Sequence, residues 1–258
     1  MTTSETAFPA RPPSACGECA DGIKAPFEFS MAFQPIVDLR RRQIYAYEAL
    51  VRGPAGESAF SVLSQVTPAN RYAFDQSCRV KAIELASDLG IVDTGARLSI
   101  NFIPGAMYRP ENCVRATLAA AKRCGIRNDR IILELTENEQ IVDIPLLRQI
   151  FEVYRRNDLR IAIDDFGAGF SGLNLLARFQ PDAIKVDKDV VRGLDQDARR
   201  RVIIGNIVRM AAELDIDVVA EGAETEAEIT DLRDLGVHLI QGYYFARPSF
   251  ETLPAVSL

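Results

Sequence analysis

From about Phe27 onward, short apolar runs alternate with longer amphipathic stretches. MAFQPIVDL (31–39) and QIYAYEALVRG (43–53) read as two strands separated only by Arg40–Arg42. So tight a connection forces them antiparallel, because a parallel pair needs a long crossover. NRYAFDQSCRVKAIELASDLG (70–90) then shows helical apolar spacing at Val80, Ile83 and Leu85, with Gly90 as its stop. The same spacing predicts helices over about 110–124, 142–157, 188–214 and 224–235. In the longest, Ile203, Ile207, Met210 and Leu214 make one stripe expected to face a core. Between the helices lie LSINF, IILEL, RIAID, AIKVD, DVVAE and HLIQG, short and apolar on both faces as buried parallel strands are. One reversed opening strand plus seven others makes eight. The pattern predicts an α/β fold, a (β/α)8 TIM-like barrel with an antiparallel first strand.

The polar residues that interrupt these runs cluster at the strands' C-terminal ends. They are Glu48, Asn101, Glu134 and Glu137, Asp164 and Asp165, Lys185 and Asp187, Glu221 and Glu224, and Gln241. In a parallel barrel those ends converge on one face, where active sites lie. Converging carboxylates repel one another unless cations neutralise them. An oxygen-donor cage with one lysine suits Mg²⁺ or Mn²⁺ and points to metal-dependent hydrolysis. Asn101 adds an oxygen donor without adding charge.

Adjacent strand residues face opposite ways, so Asp164 and Asp165 share a site only where the strand is already turning, which Gly167 permits. One ligand plus a helix N-cap is the alternative. Lys185 and Asp187 share strand parity; the lysine could glue carboxylates together, hold an attacking water or stabilise developing charge. Glu137 falls just past its strand, placed to position the glycine loop by a hydrogen bond. Gln241 is suited to hydrogen bonding. Phe245 and Pro248 follow it, and Phe245 serves equally as a base-stacking surface or as core. Met31, Phe33 and Phe102 read as core. Gly167-Ala168-Gly169-Phe170-Ser171-Gly172 matches a dinucleotide-binding fingerprint, with Asp187 at the expected distance. Two aspartates immediately before the loop would repel a pyrophosphate, so the glycines are read as a tight, pliable turn.

Composition narrows the function. A chain of 258 residues with 48% hydrophobic content supports one large domain. The net charge of −6 argues against a protein that coats a nucleic-acid polymer or an anionic membrane, though not against a small phosphorylated ligand. No apolar run reaches the roughly 18–20 residues of a membrane span. Residues 1–27 have few large apolar side chains and read as a flexible N-terminal tail, leaving 28–258 as the barrel domain. The tail lacks the apolar stretch of a signal peptide. Five cysteines, odd in number and scattered, suggest a reducing cytoplasm. Cys16 and Cys19 form the single Cys-x-x-Cys pair, read as two tail thiols, a redox pair or half a zinc site completed by a second subunit. His238 is the sole histidine, which excludes poly-histidine metal sites.

YEALVRG, SINF, LELTE, IDDFGAGFSGL, IKVDK, VVAEGAE and QGYYFARP, in this order and spacing, resemble the EAL-domain family. That family comprises cyclic di-GMP phosphodiesterases and non-catalytic relatives, and the resemblance runs from about Phe29 to Pro248. It implies a barrel with an antiparallel first strand and a two-metal site held by Glu48, Asn101, Glu134, Asp164 and Asp165. It further implies that Lys185 contacts the catalytic water, that Glu221 and Gln241 complete the site, and that Glu137 acts in catalysis by holding the loop Asp164–Gly172 beside a dimer interface. Gln34, Leu50, Arg52, Gln241, Phe245 and Pro248 would meet the ligand. Two departures stand out: Gly53-Pro54 after Arg52, where many members carry Trp, and a glycine loop lacking the common Thr and second Ser. Neither removes a metal ligand, so the resemblance implies hydrolysis of cyclic di-GMP to linear pGpG ahead of sensing alone. With no sensor domain fused, the tail, a homodimer or a regulatory protein partner would control it. An unrelated metal-dependent barrel lyase or hydrolase is the remaining alternative.

Overall fold

The computed structural model describes residues 24–107, 109–136, 143–169 and 172–257. Strands β1 (Ser30–Asp38) and β2 (Gln43–Arg52) form the expected antiparallel pair, with Gln34 opposite Glu48. Their turn is closed by the Asp38 carboxylate, which accepts the N–H groups of Arg40 and Arg41 at 3.0 Å each. Every later barrel strand is parallel to its predecessor: β3 (Arg97–Asn101), β4 (Ile131–Thr136), β5 (Arg160–Phe166), β6 (Ala183–Val186), β7 (Asp217–Glu221) and β8 (Leu239–Gln241). β1 is antiparallel to both β2 and β8 and so closes the eight-stranded barrel. A two-residue strand, β9 (Ser249–Phe250), pairs with Ala32 and Phe33 of β1 and was not expected from the pattern.

The helices are α1 (Ala59–Leu63), α2 (Arg71–Asp88), α3 (Ile91–Thr94), α4 (Pro110–Arg123), α5 (Ile144–Arg156), α6 (Gly172–Leu176), α7 (Lys188–Val191), α8 (Ala198–Glu213) and α9 (Glu226–Asp234). Proline in the first turn starts α4 and α5, where a missing N–H costs no hydrogen bond, and Asp143 caps α5 by accepting from Leu146 N–H at 2.8 Å. The single helix expected over 188–214 is instead α7, a 3-10 turn at Leu194–Gln196, and α8. Gly193 breaks it by adopting a left-handed φ of 69°, and Asp197 caps the new start by accepting from Arg199 N–H. Ile204 and Ala211 are the buried residues of α8; of the expected stripe, Ile207 and Met210 pack partly buried against the core, whereas Ile203 and Leu214 are exposed.

Along each strand, alternate residues point into the barrel. Ile36, Ala46, Ile132, Ala162, Ala183, Val219 and Leu239 fill its middle as one buried apolar cluster. Below them, Arg97 stacks over Tyr45, whose hydroxyl donates to Asp217, and Arg160 pairs with the same carboxylate at 3.2 Å. The polar residues at the C-terminal ends lie above. Leu98, Ile131, Leu133 and Ile161 point outward and are fully buried under the helices. Each contributes about 1.5–3 kcal/mol by leaving water. Met31, Phe33 and Phe102 are core, as expected. Ahead of β1, Ala25 N–H donates to Ser77, and Phe27 and Phe29 pack on Phe74 of α2. Among the described residues, no helix is long and apolar enough to cross a membrane.

Candidate active site

Alternation within the strands places one layer of polar side chains above the apolar plug. Lys185, at the centre, is buried and lies 2.7 Å from Glu221, 2.9 Å from Asp164, 3.1 Å from Glu134 and 3.2 Å from Glu48. Strand register supplies the rest. Glu48 is opposite Gln34, Asn101 beside Glu134, and Glu221 beside Gln241. Asn101 donates to Glu48 at 3.1 Å, and Gln241 donates to Glu48 at 2.7 Å and to Gln34 at 3.3 Å. Ser99, also buried, donates to Glu134 at 2.5 Å. Ser99 was overlooked in the sequence although it shares strand parity with Asn101, which is the signal that could have found it.

Asp165 joins the group because β5 bends there. Its φ is 54°, Gly167 follows at 99°, and the register with β6 shifts between Ile163 and Phe166. A carboxylate oxygen of Asp165 thereby comes within 4.8 Å of those of Asp164 and Glu221; Glu48, Glu134 and Asp164 form a second such set.

One ammonium cannot neutralise five carboxylates. Burial pushes Glu134 well above its usual range, and Glu48 and Asp164 add to it against the pull of Lys185. Burial likewise raises Asp164 and Asp165, and takes Glu221 up to about 8. Glu48 runs the other way. Burial opposes its ionisation, but Lys185, Gln241 and Asn101 outweigh that and hold it low. Lys185 is raised despite burial, by Asp164, Glu134, Glu221 and Glu48. Without added positive charge the raised carboxyls favour their protonated forms, and divalent cations would compete with those protons. The donors are all oxygen, the choice of hard cations, and Gln241 Oε1 is buried there with no hydrogen-bond partner. The residues present fit a divalent metal.

Above the layer opens a cavity of about 280 Å³, lined by Gln34, Glu48, Leu50, Asp164, Asp165, Glu221 and Gln241. Lys188, Arg192 and Tyr243 also line it and were not foreseen. Lys188 opens α7, Arg192 ends it and Tyr243 follows β8, all beyond the strands, where strand parity gives no direction. A larger groove of about 830 Å³ lies outside the barrel wall between α2 and the segment before β1, away from these carboxylates. Arg52, Phe245 and Pro248 are not among the lining residues of the central cavity. Arg52 donates to Val51 O at 2.7 Å, and Phe245 packs partly buried against Tyr244 and the apolar cluster around α8 and α9. Asp187 caps α7 by accepting from Asp189 N–H. Glu137, Cys16 and Cys19 lie outside the described residues.

The chain matches the EAL domain family model over residues 20–248. Among curated proteins it is 31% identical over 226 residues to the blue light- and temperature-regulated antirepressor BluF of Escherichia coli, covering 88% of this chain and 56% of BluF. It is 29% identical to the cyclic di-GMP phosphodiesterase NbdA of Pseudomonas aeruginosa, covering 86% of this chain and 29% of NbdA. The chain thus spans just over half, or less, of these relatives. Among solved structures, a standalone EAL protein of Vibrio cholerae in its c-di-GMP-bound form is 50% identical with a TM-score of 0.86, covering 90% of this chain and 97% of that one. A manganese/cy-diGMP complex of Klebsiella pneumoniae BlrP1 is 36% identical with a TM-score of 0.82, covering 88% of this chain and 57% of that one. With the barrel, its reversed first strand and the carboxylate ring in agreement, the chain belongs to the EAL domain family.

Proposed function

We propose that this chain hydrolyses cyclic di-GMP to linear pGpG at a two-metal site that takes Mg²⁺ or Mn²⁺. The observation that carries the reading is the complete oxygen-donor set, Glu48, Asn101, Glu134, Asp164 and Asp165, gathered around Lys185. Divalent cations held by those residues would supply Lewis acidity toward the phosphate and toward water. Lys185, fixed by its four carboxylates, orients the attacking water and offsets negative charge developing on the phosphate. Glu221 holds that ammonium, and Gln241 holds Glu48. Gln34, Leu50 and Gln241 meet the ligand from the cavity wall, with Arg52, Phe245 and Pro248 reached by the parts of the dinucleotide that extend beyond it. Glu137 steadies the glycine loop beside a homodimer contact. Cys16 and Cys19 belong to an N-terminal tail ahead of the contacts made by Ala25 and Phe27, and a regulatory partner is the route to control. Among the described residues, Cys78 and Cys124 are free thiols, which fits a reducing cytoplasm.

The test is incubation of purified protein with cyclic di-GMP and Mn²⁺ or Mg²⁺. Linear pGpG is expected from the wild type and none from Glu48→Ala, which also binds Mn²⁺ more weakly. One observation favours a second reading: the similarity to BluF, an antirepressor, fits a module that binds cyclic di-GMP and acts on a partner. Tight ligand binding without turnover in either metal would select that reading.

A further inference from the structure

The loops that wall the cavity on its β6–β8 side are joined by Glu228, a buried carboxylate that touches neither the lysine nor its ring. Glu228 Oε2 accepts the N–H groups of Glu224 at 2.8 Å and Thr225 at 3.1 Å, while Thr225 Oγ1 accepts Glu228 N–H at 3.2 Å. These bonds form a capping box and suffice to start α9. Glu228 Oε1 does something the cap does not need. It accepts Gly193 N–H at 2.8 Å, across the gap to the turn that follows α7. Burial opposes its ionisation, but the N–H groups of Glu224, Gly193 and Thr225 outweigh that and keep the carboxyl below its usual range, so all three acceptor bonds are charge-assisted.

Both bridged segments carry cavity wall. The α7 side brings Lys188 and Arg192; the β7 side begins at Glu221 and ends at Glu224. They touch directly at Gly222, where an added Cβ would lie 2.4 Å from Lys188 Cβ. Arg192 and Glu224 form an ion pair across the same gap. Ala223 O accepts Tyr244 N–H at 3.2 Å, which extends the constraint to the segment holding Gln241 and Tyr243.

We propose that Glu228 is a positioning residue whose bridge to Gly193 fixes the β7 loop on α7, and so sets Glu221 against Lys185 and the width of the cavity mouth. Its substrate arm rests on the phosphodiesterase reading; its metal arm does not. Glu228→Gln keeps an oxygen for the cap but turns an amide N–H₂ toward Gly193 N–H, breaking the bridge. Thr225→Ala weakens the cap and leaves the bridge. For both variants and the wild type, four quantities are measured: melting temperature, amide exchange at Gly193, Mn²⁺ affinity by water-proton relaxation, and KM and kcat for cyclic di-GMP. Both variants are expected to melt lower. Only Glu228→Gln should lose protection at Gly193, weaken Mn²⁺ binding by about threefold to tenfold, and raise KM more than it lowers kcat. Unchanged Mn²⁺ affinity in Glu228→Gln despite an unprotected Gly193, or an equal loss in Thr225→Ala, would overturn the proposal. A wild type that binds Mn²⁺ without turnover would defeat the phosphodiesterase reading instead, and the metal and exchange arms would still decide the role of Glu228.

Discussion

At the scale of single residues, the site is one cation outnumbered by acids, and two consequences can be measured. Lys185→Met keeps the volume and removes the charge. In EDTA at pH 8 it should lose about 3–5 kcal/mol of stability, because breaking a buried ion pair strands its partners. Mn²⁺ should restore that stability and bind at least as tightly as in the wild type, since the competing ammonium is gone. Turnover should nonetheless fall by about a hundredfold or more. Titration calorimetry beside a rate assay checks this; affinity falling in step with rate would make Lys185 a support for the metal instead. Glu221 has a folded-state pKa of about 8, well above the roughly 4.3 of an unfolded glutamate. Its stabilising contribution is therefore complete below about pH 4.3 and lost as pH rises through about 8. Metal-free melting curves at several pH values should show Glu221→Gln gaining on the wild type with rising pH, and parallel curves would contradict the assignment. These residues were legible in the sequence because a charged side chain at the end of an apolar strand has few places to go. Lys188, Arg192 and Tyr243 were not, because the way α7 and the segment after β8 lean over the barrel end depends on neighbouring segments that no local pattern encodes.

Among the elements, the strands were the readable part. Runs such as LSIN and IILEL are apolar on both faces, and only a sheet covered by helices outside and filled by side chains inside satisfies that. Helices were read less well. The stretch 188–214 carries apolar spacing throughout, yet Gly193 and the caps at Asp187 and Asp197 divide it. α1 presents Phe60 and Leu63 to solvent, so it lacks the buried stripe that would have marked it. Two glycines separate backbone strain from close contact. Gly193→Ala meets nothing within 4 Å and should cost only about 1–2 kcal/mol for its left-handed conformation. Gly222→Ala adds a steric collision with Lys188 to a similar φ of 70°. It should destabilise more in chemical denaturation and also weaken cyclic di-GMP binding, because the loop must lift off α7. Equal effects of the two variants on ligand affinity would show that this contact does not shape the cavity.

For the whole molecule, the barrel was legible from strand count and from the one short connection that forced the first strand to run backwards. The place of the N-terminal boundary was less so. Phe27 and Phe29 stack on Phe74, and Ala25 bonds Ser77, so the aromatic contacts at the start of the barrel straddle the boundary expected at residue 28. Deleting residues 1–23 should leave the melting temperature and turnover unchanged. Deleting 1–29 should lower the melting temperature by several degrees, since each half-buried Phe lost costs less than the about 3–5 kcal/mol of a fully buried one. Calorimetry on both truncations decides it; equal melting would show that the aromatic cluster adds nothing. The reversed strand also sets the order of events during synthesis. Gln241 bonds Glu48 across 193 positions and Gln34 across 207, so the first two strands and the last must meet before the acid ring has its full set of partners. Such distant closure is slow relative to local folding. A nascent chain stalled before its eighth strand therefore exposes the seam between β1 and β7 and lacks the Gln241 contacts, so the acid ring gains its full set of partners only once β8 is in place.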